Sequence, residues 1–438
     1  MIRFIAASFF ALLTLPAYAA SAIDIKEVTS PGGIKAWLVE EPSIPFMALE
    51  IRFKGGASLD RDGKRGAAYL MSGLLDEGAG DLRSTEFATA AEELALQFDF
   101  DVSPDSFSVS AQFLTENRDA SVELLRKAIN APRFDPDAIE RVRAQVQSII
   151  ASDLKDPNDI AGKTFARLAY GDHPYATAIE GTQESVALLT RDDLIQSHKD
   201  LLALDRIHIG AVGDITEAEL GALLDTLLGD LPAEGAPQAG PAPFLLDGGE
   251  TVVEFDTPQS VALFGHEGIK RTDPDFFPAF VMNQVLGAGG FGSRLMEEVR
   301  EKRGLTYGVY SYLVLREHVE LVMGQVSSSN DVVAEAINVI RDEWAKIASE
   351  GVTEEELSTA ITYLTGAYPL RFDGNGQIAT ILAAMQMDDL PIDYINTRNA
   401  KVEAVTGEDI KRVAARLMKP ENLHFVVVGR PEGLAASN

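Results

Sequence analysis

The chain has 438 residues, 46% of them hydrophobic, enough for two or three domains with substantial cores. Its 38 Lys and Arg against 67 Asp and Glu leave a net charge of −29, a field that opposes a non-specific grip on nucleic-acid phosphate or an anionic membrane surface. Cysteine is absent, which excludes disulfides, thiolate metal sites and a cysteine nucleophile.

Met1 to Ala20 carries Arg3, an apolar run from Phe4 to Leu15, a helix-breaking Pro16 and the small-residue end Ala17-Tyr18-Ala19-Ala20. This reads as a cleaved Sec-type signal peptide and predicts a soluble, periplasmic mature protein. No later stretch approaches the roughly 20 apolar residues of a membrane-spanning helix. In the first half, a strand is expected to end at Gly55-Gly56, with a polar turn, a helix from about Gly66 to Leu75, an acidic turn and a second helix capped near Ser84. Asp76 and Glu77 in that turn are adjacent carboxylates without an imidazole and read as solvated. Tyr69 reads as a core or cleft-lining aromatic of an amphipathic helix. Further on, an alternating strand (FSVSAQFL) leads into two helices. Thr190 with Asp193 then caps another helix, and a strand runs from His208 to Gly213.

Residues 233–249, rich in Gly, Pro and Ala, show neither periodicity and read as a flexible connection. Beyond them a helix is predicted through Leu286, a Gly-rich interruption over Gly287 to Gly292, a helix from about Ser293 to Lys302, and a strand from near Leu305. The interruption is no phosphate loop, because it lacks the Lys-Ser/Thr ending and follows a helix rather than a strand. Gly287, Gly289 and Gly290 either admit an extended peptide backbone or break the helix. An alternating strand (LVMGQVSSS) again leads into two helices, the second opened by a Thr353/Glu356 capping box. Thr406 with Asp409 and the strand His424 to Gly429 close the chain. Thr190 to Thr406 and His208 to His424 share an offset of 216 residues, so the chain is an internal duplication. The expected fold is α+β: residues 21–232 and 250–438 form two similar domains, each a mostly antiparallel or mixed sheet covered by helices, facing one another across a cleft. The six histidines are scattered, with no pair at helical three- or four-residue spacing, and His208 and His424 read as structural.

The Gly55 to Ser84 layout resembles the N-terminal domain of the M16 (pitrilysin, insulinase, mitochondrial-processing-peptidase-like) family of zinc peptidases, and the resemblance extends over the mature chain. It implies a LuxS/MPP-like metallohydrolase fold forming half a clamshell. Active members carry an inverted His-x-x-Glu-His motif on the first helix, which binds Zn²⁺ and activates water. At those positions this chain has Tyr69, Ser72 and Gly73, and where the family supplies a third, Glu ligand it has no acid between Glu140 and Asp153. The resemblance therefore implies no metal in this chain. Ser293-Arg294-Leu295, Arg300-Glu301 and Gly304-Leu305-Thr306-Tyr307 resemble the family segment whose Arg and Tyr reach across the chamber into the zinc site of the other half. By that resemblance Arg300 and Tyr307 are the candidate catalytic residues, acting in trans, with Gly287, Gly289, Gly290 and Phe291 as candidate substrate contacts. The implied role is the metal-free subunit of a heterodimeric peptidase, paired with a homologous zinc-binding chain and acting on peptides. The alternative is a non-proteolytic peptide-binding or scaffold protein. Ser-based chemistry in this chain alone stays formally open.

Overall fold

The computed structural model describes residues 23–435 and 437; the signal-peptide reading of residues 1–20 lies outside them. In the first half, β1 (Lys26–Thr29), β2 (Lys35–Glu40) and β3 (Phe46–Lys54) precede α1 (Ala67–Ser72), a small hairpin of β4 (Gly78–Ala79) and β5 (Leu82–Arg83), and α2 (Ser84–Glu93). Then come β6 (Gln97–Val102), β7 (Ser106–Leu114), α3 (Arg118–Asn130), α4 (Pro136–Asp153), α5 (Pro157–Tyr170), α6 (Gln183–Ala187), α7 (Arg191–Leu201), β8 (Ile207–Gly213) and α8 (Glu217–Leu228). The second half runs β9 (Gly249–Glu254), β10 (Gln259–Glu267), α9 (Phe276–Asn283), β11 (Gly308–Leu315), β12 (Glu320–Ser329), α10 (Val333–Glu350), α11 (Glu354–Ala367), α12 (Asn375–Met387), α13 (Tyr394–Glu403), α14 (Gly407–Leu417) and β13 (His424–Gly429).

The duplication is visible in the topology. One sheet has the order β1-β2-β8-β3-β7-β6, and the other, β9-β13-β10-β12-β11, repeats it without a counterpart of β1. Both sheets are mixed: β2 with β8 and β9 with β13 are parallel, and the remaining pairs are antiparallel. The Thr190/Asp193, Thr353/Glu356 and Thr406/Asp409 capping boxes all form. Each satisfies orphan amides at a helix start.

Each sheet carries helices on both of its faces. Along β10 and β13 successive residues alternate between two cores: Ala262, Phe264, Phe425 and Val427 meet helices of their own half, while Val261, Leu263, Val426 and Val428 meet Phe165, Ala161 and Ala169 of α5, from the other half. The converse holds in the first sheet, where Leu49, Ile51, Ile209 and Ala211 face their own helices and Ala48 and Val212 face Ala379 and Leu382 of α12. Period-two side-chain direction makes this possible, because a strand buried on both faces is apolar at every position. Each half therefore lends one helix to the other's sheet. Gly210 of β8 marks the closeness of the docking: a Cβ there would overlap the Ala379 carbonyl oxygen and stand 2.9 Å from Leu382 Cβ. The connection after α8 is pinned between the halves, with Leu245 N–H donating to Ala169 O at 2.9 Å and Ala242 N–H to His318 O at 3.0 Å.

Two local predictions need amendment. The helix expected from Gly66 to Leu75 is only six residues long, because Gly66 enters it with a left-handed φ of 90° and Gly73 caps it. The helix expected to stop at Leu286 continues past α9 as a π-helical turn over Gln284–Ala288, and the charged helix after the glycines is itself π-helical over Met296–Glu301.

Gly210→Val should destabilise the protein by about 1–3 kcal/mol through overpacking against α12. Gly162→Ala, in α5 with nothing within 4 Å of the added Cβ, should stabilise it by about 0.5–1 kcal/mol. Urea unfolding of both variants measures this; a neutral Gly210→Val would contradict the close docking.

Candidate functional site

The start of α1 is set by a buried carboxylate. Asp60 accepts hydrogen bonds from Gly66 N–H at 2.7 Å and Ala68 N–H at 2.9 Å, and burial pushes its carboxyl up to about 6 although both amides oppose the shift. On the helix itself Tyr69 is half-buried, and its phenol is pushed above the ordinary range by burial and by the carboxylates of Glu180, Asp101 and Asp153. Ser72 is buried and spends its hydroxyl on the Tyr69 carbonyl oxygen at 2.9 Å. Gly73 is exposed, and a Cβ there would approach Val142 Cγ1 of α4 to 3.2 Å. One phenol, one committed hydroxyl and one position without a side chain do not form a zinc ligand set. Among the described residues no cluster of three His, Asp or Glu could hold a metal ion. Asp153 and Glu180 also border a cavity of about 390 Å³ reaching Arg316 of the second half.

Arg300 and Tyr307, seven residues apart, line one cleft of about 560 Å³ together with Gln259, Thr306 and Ser327 to Ser329. Tyr307 is 84% exposed, and its hydroxyl has no hydrogen-bond partner among the described residues. Its backbone, by contrast, is fixed. Thr306 Oγ1 donates to Ser327 O at 2.6 Å and Ser328 Oγ to Leu305 O at 2.5 Å, stapling the turn to the end of β12 so that Tyr307 projects outward. Arg300 leaves the π-helical turn with its guanidinium 4.7 Å from the centre of the Phe291 ring and its Nε 3.5 Å from Glu301. Phe291 is itself largely exposed. That stack holds a planar donor fork at the cleft while leaving donors unused.

The glycines separate into two kinds. Gly290 has φ +57° and open space around it. Gly287 is buried, and a Cβ there would lie 2.5 Å from the backbone nitrogen of Ser311, so this glycine serves the packing of the π-helical turn on β11. Gly289 ends that turn, with an added Cβ 2.7 Å from Gln284 O. The cleft's serine floor was not singled out in the sequence, although the run Ser327-Ser328-Ser329 at the end of an alternating strand is its only local signal.

The π-helical platform is anchored by Arg294, whose largely buried guanidinium forks Glu356 at 2.6 and 2.8 Å and donates to Gly351 O at 3.0 Å. Burial alone would raise the Glu356 carboxyl, but the Arg294 fork and Thr353 bring it down to about 2. His424, expected to be structural, bonds Gly248 O and Thr251 Oγ1.

A first helix without a metal ligand set and an Arg/Tyr cleft on the repeated half are thus set in one fold of two duplicated mixed sheets. Residues 35–183 match the family model described as insulinase (peptidase family M16), and residues 188–364 match the peptidase M16 inactive domain. The chain is 28% identical over 391 residues to the non-peptidase homolog YmxG of Helicobacter pylori, covering 89% of this chain and 90% of that protein. It is 25% identical over 407 residues to an uncharacterized zinc protease of Mycobacterium tuberculosis, covering 92% and 93%. The crystal structure of a peptidase M16 inactive domain from Pseudomonas fluorescens matches with a TM-score of 0.87 at 27% identity, covering 95% of this chain and 99% of that one. The chain belongs to the M16 peptidase family.

Because the Glu356 carboxyl falls from 4.5 unfolded to about 2 folded, its stabilisation is complete above about pH 4.5 and is lost as pH falls through 2. Glu356→Gln should cost roughly 2 kcal/mol at pH 7, after allowance for partial exposure, and almost nothing near pH 2. Urea midpoints at the two pH values check the difference.

Proposed function

We propose that this chain is the metal-free subunit of an exported, heterodimeric M16 zinc peptidase, lending Arg300 and Tyr307 to peptide binding and transition-state stabilisation in a homologous partner's zinc site. The observation that carries the reading is an exposed, unpartnered phenol on a rigid turn beside a stacked guanidinium, in a chain whose own α1 has no metal donors. A phenol donates to the oxyanion that forms on a hydrated peptide carbon, and a guanidinium holds a carbonyl or carboxylate through its fork. Neither group generates the attacking hydroxide. A metal ion held by the partner would supply that nucleophile, while Arg300 and Tyr307 orient the peptide and receive the developing charge. Exposed Phe291 and Gly290 at the same rim suit contact with extended peptide. Export to the periplasm rests on the signal-like residues 1–20; among the described residues no helix is long and apolar enough to cross a membrane.

A second reading, a peptide-binding or scaffold protein with no part in proteolysis, is favoured by the name of the Helicobacter relative, a non-peptidase homolog. Mutant kinetics separate the two. In a reconstituted pair, Tyr307→Phe should lower turnover by roughly 10²-fold, the scale of one oxyanion donor, while the purified chain alone holds no stoichiometric zinc and cleaves no peptide. Unchanged turnover with Tyr307→Phe removes the residue from the mechanism and leaves the scaffold reading. Tight zinc in the isolated chain would overturn the assignment of Tyr69, Ser72 and Gly73.

A further inference from the structure

The duplication builds a second cavity at the counterpart of the one near Tyr69. Each is walled by the segment after the sheet's central antiparallel strand (β3 or β10), by the exchanged helix (α5 or α12) and by the chain that follows that helix. The first is lined by mixed charges. The second, about 240 Å³ in volume, has a different chemistry: its wall contains the rings of Phe276, Phe277, Phe280, Tyr368, Phe372 and Tyr394.

Three guanidiniums reach the same wall. Arg271 lies 4.6 Å from the centre of the Phe276 ring and donates to Tyr394 OH at 2.8 Å. Arg398 lies 4.4 Å from the centre of the Tyr368 ring, is buried, and donates to Leu364 O at 2.7 Å. Arg371 is exposed at the mouth. None of the three is ion-paired among the described residues, in a chain where acids outnumber bases by 67 to 38. On the neighbouring surface Arg412 and Arg416 are paired with Asp275 and Asp273. Only one carboxylate, Asp388, belongs to the wall. Gathering unpaired arginines around an aromatic cavity costs their solvation and their mutual repulsion, and a bound anion relieves both. The apolar rings require that the same ligand carry a flat hydrophobic body, and the volume admits one ring with its carboxylate rather than an extended peptide.

We propose that this cavity binds a carboxylate carrying an aromatic body, the chemistry shared by a free aromatic acid and by the C-terminal residue of a peptide ending in Phe, Tyr or Trp. The rings hold the body, and Arg271 and Arg371, which keep unused donors, hold the carboxylate. Ile381, Ala384 and Met385 of α12 form part of the same wall, so the ligand sits against the helix that ties the second half to the first sheet. The site is independent of any partner chain and of Tyr307.

Calorimetric titration of the full chain with N-acetyl-phenylalanine tests this. Saturable one-to-one binding is expected, weakened about tenfold or more in the neutral N-acetyl-phenylalanine amide and in Arg371→Gln. Arg371 is exposed, so its variant folds; Arg271→Gln, checked by circular dichroism, should give the same loss. Competition by a tetrapeptide with a free C-terminal Phe identifies a peptide terminus as the source, and competition by the free acid alone identifies a small molecule; both support the site. Absence of saturation at roughly 10 mM, equal binding of acid and amide, or unaltered binding in both arginine variants would overturn it.

Discussion

The structure depends on one exchange: α5 of the first half lies on the second sheet and α12 of the second half lies on the first. Without it, Val261, Leu263, Val426 and Val428 on one sheet, and Ala48 and Val212 on the other, would face water. Each large aliphatic side chain so buried contributes about 1.5–3 kcal/mol, and Gly210 brings the two backbones close enough for that packing to be dense. Two half-cores that could have hinged freely about a linker are interlocked instead. That interlock fixes where the Arg300/Tyr307 cleft stands relative to α1.

The two halves have spent the same architecture differently. In the first, a buried Asp60 clasps the start of α1, and Tyr69, Ser72 and Gly73 on that helix offer no metal ligand set. In the second, the corresponding region runs into π-helical turns. Such turns recur at functional sites because the extra residue re-aims side chains. Here they carry Arg300 to the cleft rim, and the Arg294–Glu356 fork holds them to α11. The cost of that geometry is met by buried pairing away from the cleft, which leaves Tyr307 and Phe291 exposed.

Much of this was legible in the sequence because it is local. Capping boxes at Thr190, Thr353 and Thr406 fix helix starts within four residues, the 216-residue offset reveals the duplication, and the α+β class follows from alternating strands interleaved with amphipathic helices. The helix exchange was illegible, since a strand buried on both faces says nothing about which helix covers the second one. The apolar pattern overstates the length of α1, because the left-handed entry at Gly66 and the cap at Gly73 leave less than two turns between them. Gly287 gave no local sign that its missing side chain serves Ser311, 24 residues on. The aromatic cavity draws on residues from Arg271 to Arg398, and no spacing rule joins groups so far apart.

The proposed subunit role depends on what this chain stands beside. Gentle capture of the tagged mature protein from periplasmic extract, with mass spectrometry of whatever co-purifies in near-equal amount, addresses it directly. A similar-sized M16 chain carrying His-x-x-Glu-His is the predicted companion. Recovery of this protein alone, or of an unrelated assembly, would contradict the subunit role and hand the Arg300/Tyr307 cleft to a non-proteolytic function.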